Sequence, residues 1–543
     1  MISNIIRDHI DNAAMCLEGL RALGSIISDA HNRKVAGELG CVELIKEVVM
    51  AHASSPAVCQ AGLEAIGDAV YDSPANQGFA GEAGWIELVK SVITTHADDA
   101  AVCQKGLLAA CFIVFRNPDI QKLAGEAKLL ELAKDALKKY SGNAEVCQAA
   151  LAAVDEIVLR NPANQKLFGK SKYIKLVKDT IKQHIESAGV CQFGLRAIRS
   201  IVSDSPSNQK RAGEAKCIPL VASVITKHIE NPVVCKYGLR AINSIVQGCP
   251  DNQKLAGEAE VVELVKDAIS QHLGDSWLCE NGLSTIGSIA HESYGNQKLM
   301  GESGCVGLAS SATRRHISHA EVCQAGLYAF CELFAENPAN QKLAGESGCI
   351  ELVRDAIKKY IDNPAVCQNG FAAIGNIIFA SPDNQKLACT MGFVDLALES
   401  IERHKDRRNI AEWCCRCLIR LLSAQETHAK WCTKDVLKKV EECQARFKDS
   451  LFIKKCVACL RREEDPRVAD AAERGVCTME TTACGKEDCR RKDDDSFCVE
   501  CAAPQKCFRC FECQGSRACC ETCMKSKHSG HKGAEFFDII TYC

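Results

Sequence analysis

The sequence predicts an all-α repeat protein: a long helical solenoid that ends in a small metal-stabilised module. Three observations carry this. One cysteine recurs at 59, 103, 147, 191, 235, 279, 323 and 367, always in steps of 44 residues, and Cys16 precedes the series by 43. The Asn of an NQK stretch keeps the same beat at 32, 76, 164, 208, 252, 296, 340 and 384, with Ile120 as the exception. From Cys498 the texture changes to closely spaced Cys and His, ending in CCETCMKSKHSGHKG. Self-similarity at such a period marks a solenoid, in which each unit buries its apolar face against the next.

The composition agrees. Apolar content is 47% of 543 residues, but aromatics are only 5%. Helix packing can run on Ala, Leu and Ile. A net charge of -3 gives no general attraction to nucleic acid or anionic membranes, and neither is expected as a partner. The opening MISNIIRDHIDNAAMC lacks a basic region followed by an apolar one, and no apolar run approaches the ~18 residues of a membrane helix. The 36 cysteines are therefore expected as reduced thiols in the cytosol or nucleus, some of them binding metal. The motifs of phosphate-binding loops, serine hydrolases, zinc proteases and dinucleotide enzymes are missing, so no enzyme is expected.

Each unit reads as three helices. In the unit from Asn337, NQKLAGE is a short first helix closed by the Ser347-Gly348 corner. CIELVRDAIKKYI has helical apolar spacing, and Asn363-Pro364 then opens a third helix, AVCQNGFAAIGNII. The tenth unit is degenerate: Trp413, Cys415, Leu418 and Leu421 keep the apolar phase. DVLKKVEECQARF and SLFIKKCVACLRR read as a last helix pair, and their Lys and Arg suit a solvent-facing cap.

The periodic cysteines are expected in the core. Equivalent positions on neighbouring helices lie roughly 10 Å apart, and zinc–sulfur bonds are about 2.3 Å. Reduced Cys in a stripe of Leu and Ile acts as a small hydrophobe. Cys41, Cys217, Cys305 and Cys349 align with Trp85, Leu129, Tyr173 and Val261, a position that is simply apolar. Cys456 and Cys459 resemble a ligand pair but fall in the last helix and are assigned to core. His184, His228 and His272, also 44 apart, read as repeat positions and not as a catalytic cluster.

A short helix followed by two longer ones at this period resembles the armadillo repeat; HEAT repeats are the nearest rival. The family's third-helix pattern A-x-x-A-L-x-N-L appears as Gly370, Ala373, Ile374, Asn376 and Ile377. The resemblance covers residues 1–460. It implies a right-handed superhelix of about ten repeats, whose third helices line a concave groove for extended peptides or partner proteins. The positions five and nine residues after the ladder cysteine vary freely. Importin-α-like members carry Trp at the first and Asn at the second; here only Asn376 matches. Arg196, Arg199, Lys236 and Arg240, with Tyr237, suggest a basic patch for an acidic or phosphorylated segment, because guanidinium forks suit carboxylate and phosphate. Tyr328 and Asn376 complete the candidate partner-binding set. The plainer reading is solvated charge on an ordinary face.

Residues 461–497 read as a charged linker with extra cysteines at 477, 484 and 489. In 498–543 four pairs stand out: Cys498 and Cys501, Cys510 and Cys513, Cys520 and Cys523, His528 and His531. Eight such ligands suffice for about two tetrahedral zinc ions, which would supply the folding energy of a segment with almost no core. The spacing resembles the B-box zinc finger, with HSGH as its ending and EFFDII as its last short strand; Cys501 stands where the second B-box type usually has His. The resemblance implies interleaving, with Cys498, Cys501, Cys520 and Cys523 on one ion and Cys510, Cys513, His528 and His531 on the other. The MYND finger is the runner-up, but it needs a Cys where this chain has Glu535. Cys507, Cys519 and Cys543 stay unassigned.

These readings point to a non-enzymatic interaction scaffold in the cytoplasm. The alternatives are a component of a ubiquitin-ligase complex, although no RING ligand set is found, and a structural subunit of a cytoskeletal or ciliary assembly.

Overall fold

The computed structural model describes residues 2–462, except Ala259, and the stretches 507–510, 518–520 and 534–536. Among them are 32 helices and three short strands. The chain divides into two compact units, Met1–Leu299 and Met300–Cys543.

In the first unit the three-helix repeat is built as expected. One repeat runs through helices Pro206–Glu214, Cys217–Lys227 and Pro232–Val246. Proline opens the first and third, where its missing N–H and fixed φ suit the first helical position. The Asn231 side chain caps the third by accepting from the Val233 and Val234 amides at 3.0 and 3.2 Å. The corner between first and second helices takes a left-handed residue, except at Gly169–Lys170, where both φ values are negative. Gly40 and Gly84 supply it with φ of 68° and 73°, and Lys128, Lys216 and Glu260 accept the same conformation without glycine's freedom.

Second and third helices of a repeat approach closely at one glycine. A Cβ on Gly238 would stand 2.5 Å from Ile225 Cγ1, and one on Gly106 would stand 2.5 Å from Ile93 Cγ1. Within this unit successive third helices pack on one another.

Repeats are also clamped together by polar side chains. Asn252 Nδ2 donates to the carbonyls of Gln209 and Ile245, on the first and third helices of the repeat before, both at 2.9 Å. Gln209 Nε2 donates forward to the Ser244 and Gln247 carbonyls, each at 2.9 Å. Asn208 and Gln209 are buried, so these bonds satisfy backbone groups that water does not reach. The Asn of NQK is thus an inter-repeat clamp, while the Gln ties the first helix to the third helix of its own repeat. The histidine row clamps in the same way. His228 Nε2 bonds the Ile185 carbonyl at 2.7 Å, and His272 Nε2 the Ile229 carbonyl at 2.6 Å. Tyr140 takes the place of a histidine, with its hydroxyl donating to the Ala97 carbonyl at 2.7 Å.

The second unit repeats the pattern in helices Pro338–Glu346, Cys349–Lys359 and Pro364–Ile377, with Gly348 at φ 67° in the corner. Its closing part is Arg408–Leu421, Gln425–Trp431, Lys434–Arg446 and Leu451–Leu460, so the expected last helix pair is present. Cys415, Leu418 and Leu421 are buried, Trp413 is half-buried, and Cys456 and Cys459 lie in the core.

Three short strands, β1 (Cys507–Cys510), β2 (Ala518–Cys520) and β3 (Ala534–Phe536), form one antiparallel sheet in the order β2-β1-β3. No helix among the described residues is long and apolar enough to cross a membrane. The linker 461–497, apart from Arg461 and Arg462, lies outside the described residues.

Candidate protein-interaction surface

The ladder cysteines are removed from the list of metal ligands by their surroundings. All nine from Cys16 to Cys367 are buried. Each is also a weak hydrogen-bond donor. Cys235 Sγ points at the carbonyls of His228 and Ile229, both at 3.4 Å, and Cys191 Sγ at those of His184 and Ile185, at 3.8 and 3.4 Å. The thiol therefore closes the turn between second and third helices, which a Val or Ala could not do. Burial pushes the Cys235 thiol up to about 11 and the Cys191 thiol up to about 12, so neither offers a thiolate near neutral pH. Among the described residues no group of three or more His, Cys, Asp or Glu is placed to hold a metal ion.

The basic patch lies on two neighbouring third helices, Ala188–Val202 and Pro232–Val246. Its members have different surroundings. Arg196 is engaged within the repeat stack: its Nη2 lies 2.6 Å from Asp155 Oδ2 and 2.6 Å from Glu156 Oε1, both on the preceding third helix. Both acids are almost fully buried, and Ser200 Oγ donates to Asp155 Oδ1 at 2.5 Å. Two carboxylates share one guanidinium, and Glu156 Oε2 has no hydrogen-bond partner. Burial, and then the charge of Asp155, push the Glu156 carboxyl up to about 7.

Arg199, Arg240 and Lys236 differ. No carboxylate stands within ion-pair distance of any of the three among the described residues. Arg199 and Arg240 are half-buried, and Lys236 is only 8% exposed. Burial and then repulsion from Arg240 pull both Arg199 and Lys236 below their ordinary values. Three cations are thus held together, partly out of water, without a carboxylate in contact. Aromatic faces line them. Lys236 Nζ sits 3.6 Å above the Trp277 ring and 4.8 Å from that of Tyr237, and Arg196 lies 5.1 Å from Phe193 and 5.5 Å from Tyr237. Trp277 is 56% exposed and extends the patch onto the next third helix, Ser276–Ala290.

Sequence reasoning missed Asp155, Trp277 and the pairing of Glu156, one of the variable groove positions, with Arg196. Only the acidic doublet at 155–156 could have hinted that Arg196 has an internal partner.

In the second unit, Tyr328 is half-buried on its third helix, Ala320–Phe334. The Asn376 amide lies between neighbours: its Nδ2 donates to the Cys331 carbonyl at 2.9 Å, and its Oδ1 accepts from Arg420 Nη1 at 3.1 Å.

Of the expected zinc ligands, Cys510 and Cys520 lie in the described strands. Cys498, Cys501, Cys513, Cys523, His528 and His531 lie outside the described residues, as do Cys477, Cys484, Cys489 and Cys543. In the β1–β2 register Cys520 stands opposite Cys507, at the far end of β1 from Cys510. That separates Cys510 and Cys520 by about 10 Å along the strand direction. β3 begins at Ala534 and takes in Glu535 and Phe536, where the EFFDII strand was expected.

No protein-family model and no curated protein matches the chain. Solved structures do. An engineered protein aligns over 77% of this chain and 98% of its own, with a TM-score of 0.65 at 17% identity. A chain from a structure of the interaction between cadherin and beta-catenin, controlled by a conserved phosphorylation switch, aligns over 87% of this chain and 94% of its own, with a TM-score of 0.58 at 13% identity. The fold is an armadillo-like helical repeat. At these identities the likeness is one of fold alone.

Proposed function

We propose that this chain is a non-enzymatic scaffold that binds partner proteins along its row of third helices, and that one class of partner presents an acidic or phosphorylated segment to Arg199, Lys236 and Arg240. The observation that supports it is the gathering of these three cations without a contacting carboxylate. Like charges held together out of water destabilise the free protein, and an arriving anion relieves that cost. Arg196, already shared by Asp155 and Glu156, positions its neighbours and contributes less to binding. The beta-catenin chain of the same fold takes part in an interaction with cadherin, which fits a scaffold role.

The domain plan is a solenoid over 1–460, a linker over 461–497 and a B-box-type zinc finger over 498–543, working in the cytoplasm. The donor set of thiols and imidazoles suits zinc. The separation of Cys510 from Cys520 along the sheet supports their assignment to different ions. Zinc there would fix the fold of a second small contact surface.

Affinity capture with the full chain and with Arg199→Glu/Arg240→Glu tests the groove reading. Partners that drop out should carry acidic or phosphorylated segments. Identical partner sets from both proteins contradict it.

A further inference from the structure

The first helices carry a feature that partner binding on the third helices does not use. Seventeen large apolar side chains are exposed among the described residues, and in the first unit six of them occupy a single position of the repeat. They are Val35, Phe79, Leu123, Leu167, Leu255 and Leu299, each 37–49% exposed. Scattered exposed apolar residues need no explanation, but recurrence at one position does. The row runs unbroken from Val35 to Leu167 and is interrupted by Arg211.

Charge flanks the unbroken run in one order, complete at Lys34–Glu38 and Lys122–Glu126 and half-filled in the other two repeats. Lys34, Lys122 and Lys166 come just before the apolar residue, and Glu38, Glu82 and Glu126 come three residues after it. Lys34 and Lys122 thus lie about one helical turn, roughly 6 Å along the helix, from Glu38 and Glu126, whereas Glu82 is preceded by Gly78 and Lys166 is followed by Lys170 at the matching places. Stacked repeats then set out a Lys row and a Glu row beside the apolar row. The pairs within a helix are long, 3.9 Å for Lys34–Glu38 and 4.0 Å for Lys122–Glu126, and all four side chains are more than 60% exposed. Such contacts leave the charges largely available.

We propose that this face, from Val35 to Leu167, binds a second copy of the same chain. Only a surface with the same repeat step can meet the row residue for residue, and a second copy has that step. A twofold axis along the direction in which repeats follow one another lays the Glu row of one copy on the Lys row of the other, with the apolar row between. A twofold across that direction would set Lys on Lys. The charge order therefore selects a parallel pair, closed by symmetry.

Sedimentation of the full chain over a concentration series tests this. The wild type should self-associate. Phe79→Glu/Leu123→Glu should raise the dissociation constant about tenfold or more, with unchanged circular dichroism. Lys34→Glu/Lys122→Glu/Lys166→Glu and Glu38→Lys/Glu82→Lys/Glu126→Lys should each fail to pair alone and should pair when mixed. A wild type that stays monomeric overturns the proposal. So does a dimer untouched by Phe79→Glu/Leu123→Glu, or a mixture of charge variants that stays apart.

Discussion

Asn252 fills the space that a side chain on Gly213 would need: its Oδ1 lies far inside contact distance of the Cβ position on that glycine. The same pairing joins Gly37 to Asn76 and Gly125 to Asn164, and in the second unit Gly301 to Asn340 and Gly345 to Asn384. The Gly at this place is therefore small for the sake of the next repeat's Asn, except at Gly81, where Ile120 takes that place. That Asn in turn bonds two carbonyls of the repeat before, one on its first helix and one on its third. Gly213→Ala should cost about 1–3 kcal/mol through overpacking. Asn252→Ala should cost a similar amount, about 1–3 kcal/mol, by leaving two buried carbonyls unpaired. The double variant Gly213→Ala/Asn252→Ala should cost less than the sum, because the two residues share one space. Urea unfolding of the four proteins checks the cycle.

The ladder thiols should be inert. Burial raises Cys147, Cys235 and Cys323 to about 11, and each is out of contact with solvent. Iodoacetamide near pH 7.5 should leave them unmodified in the native chain and modify them after denaturation. Peptide mass mapping reads the difference site by site.

Glu156 should give stability a slope with pH. Its carboxyl is raised from 4.5 to about 7 by burial and by Asp155. Between those values the folded chain keeps a proton that the unfolded chain has released. Stability therefore falls as pH rises through that window and levels off above it, by roughly 3 kcal/mol in all. Glu156→Gln should flatten the slope and raise the melting temperature at pH 8 more than at pH 5. Arg196→Met should do the opposite at pH 8, because it strands two buried carboxylates at a cost of about 3–5 kcal/mol.

Much of the fold was legible in the sequence because a repeat prints each packing rule many times. The place of Cys235 is Cys from Cys16 to Cys367, that of Gly238 is Gly or Ala150, and that of Ile242 is always apolar, so their burial follows from period and phase. The Asn and Gln of NQK were visible as a beat, but not as clamps. Their partners are backbone carbonyls, 43 residues back for the Asn and 35 residues on for the Gln, and a carbonyl leaves no trace in residue identity. The surface was harder to read for the same reason. Arg196 and Arg240 occupy equivalent positions, yet only Arg196 meets an acidic pair, because Asp155 and Glu156 belong to one repeat alone. Trp277 sits just before its ladder cysteine, outside the two positions that variation between repeats singled out.

The terminal cysteines should differ from the ladder in metal content. Metal analysis of the full chain should return about two zinc ions. Replacing Cys510 and Cys520 together with Ser should remove both, while the helical circular dichroism of the solenoid stays unchanged. A wild-type content near zero would rule out the finger.

The cation cluster is best tested by titrating a fluorescent acidic peptide carrying one phosphoserine into the full chain and following anisotropy at low and high salt. The wild type should bind, with affinity falling as salt rises. Arg199→Glu/Arg240→Glu should weaken binding by about tenfold or more, and Arg196→Met should weaken it less. Equal binding by the wild type and the double variant would contradict the assignment of Arg199 and Arg240 as the anion-holding pair.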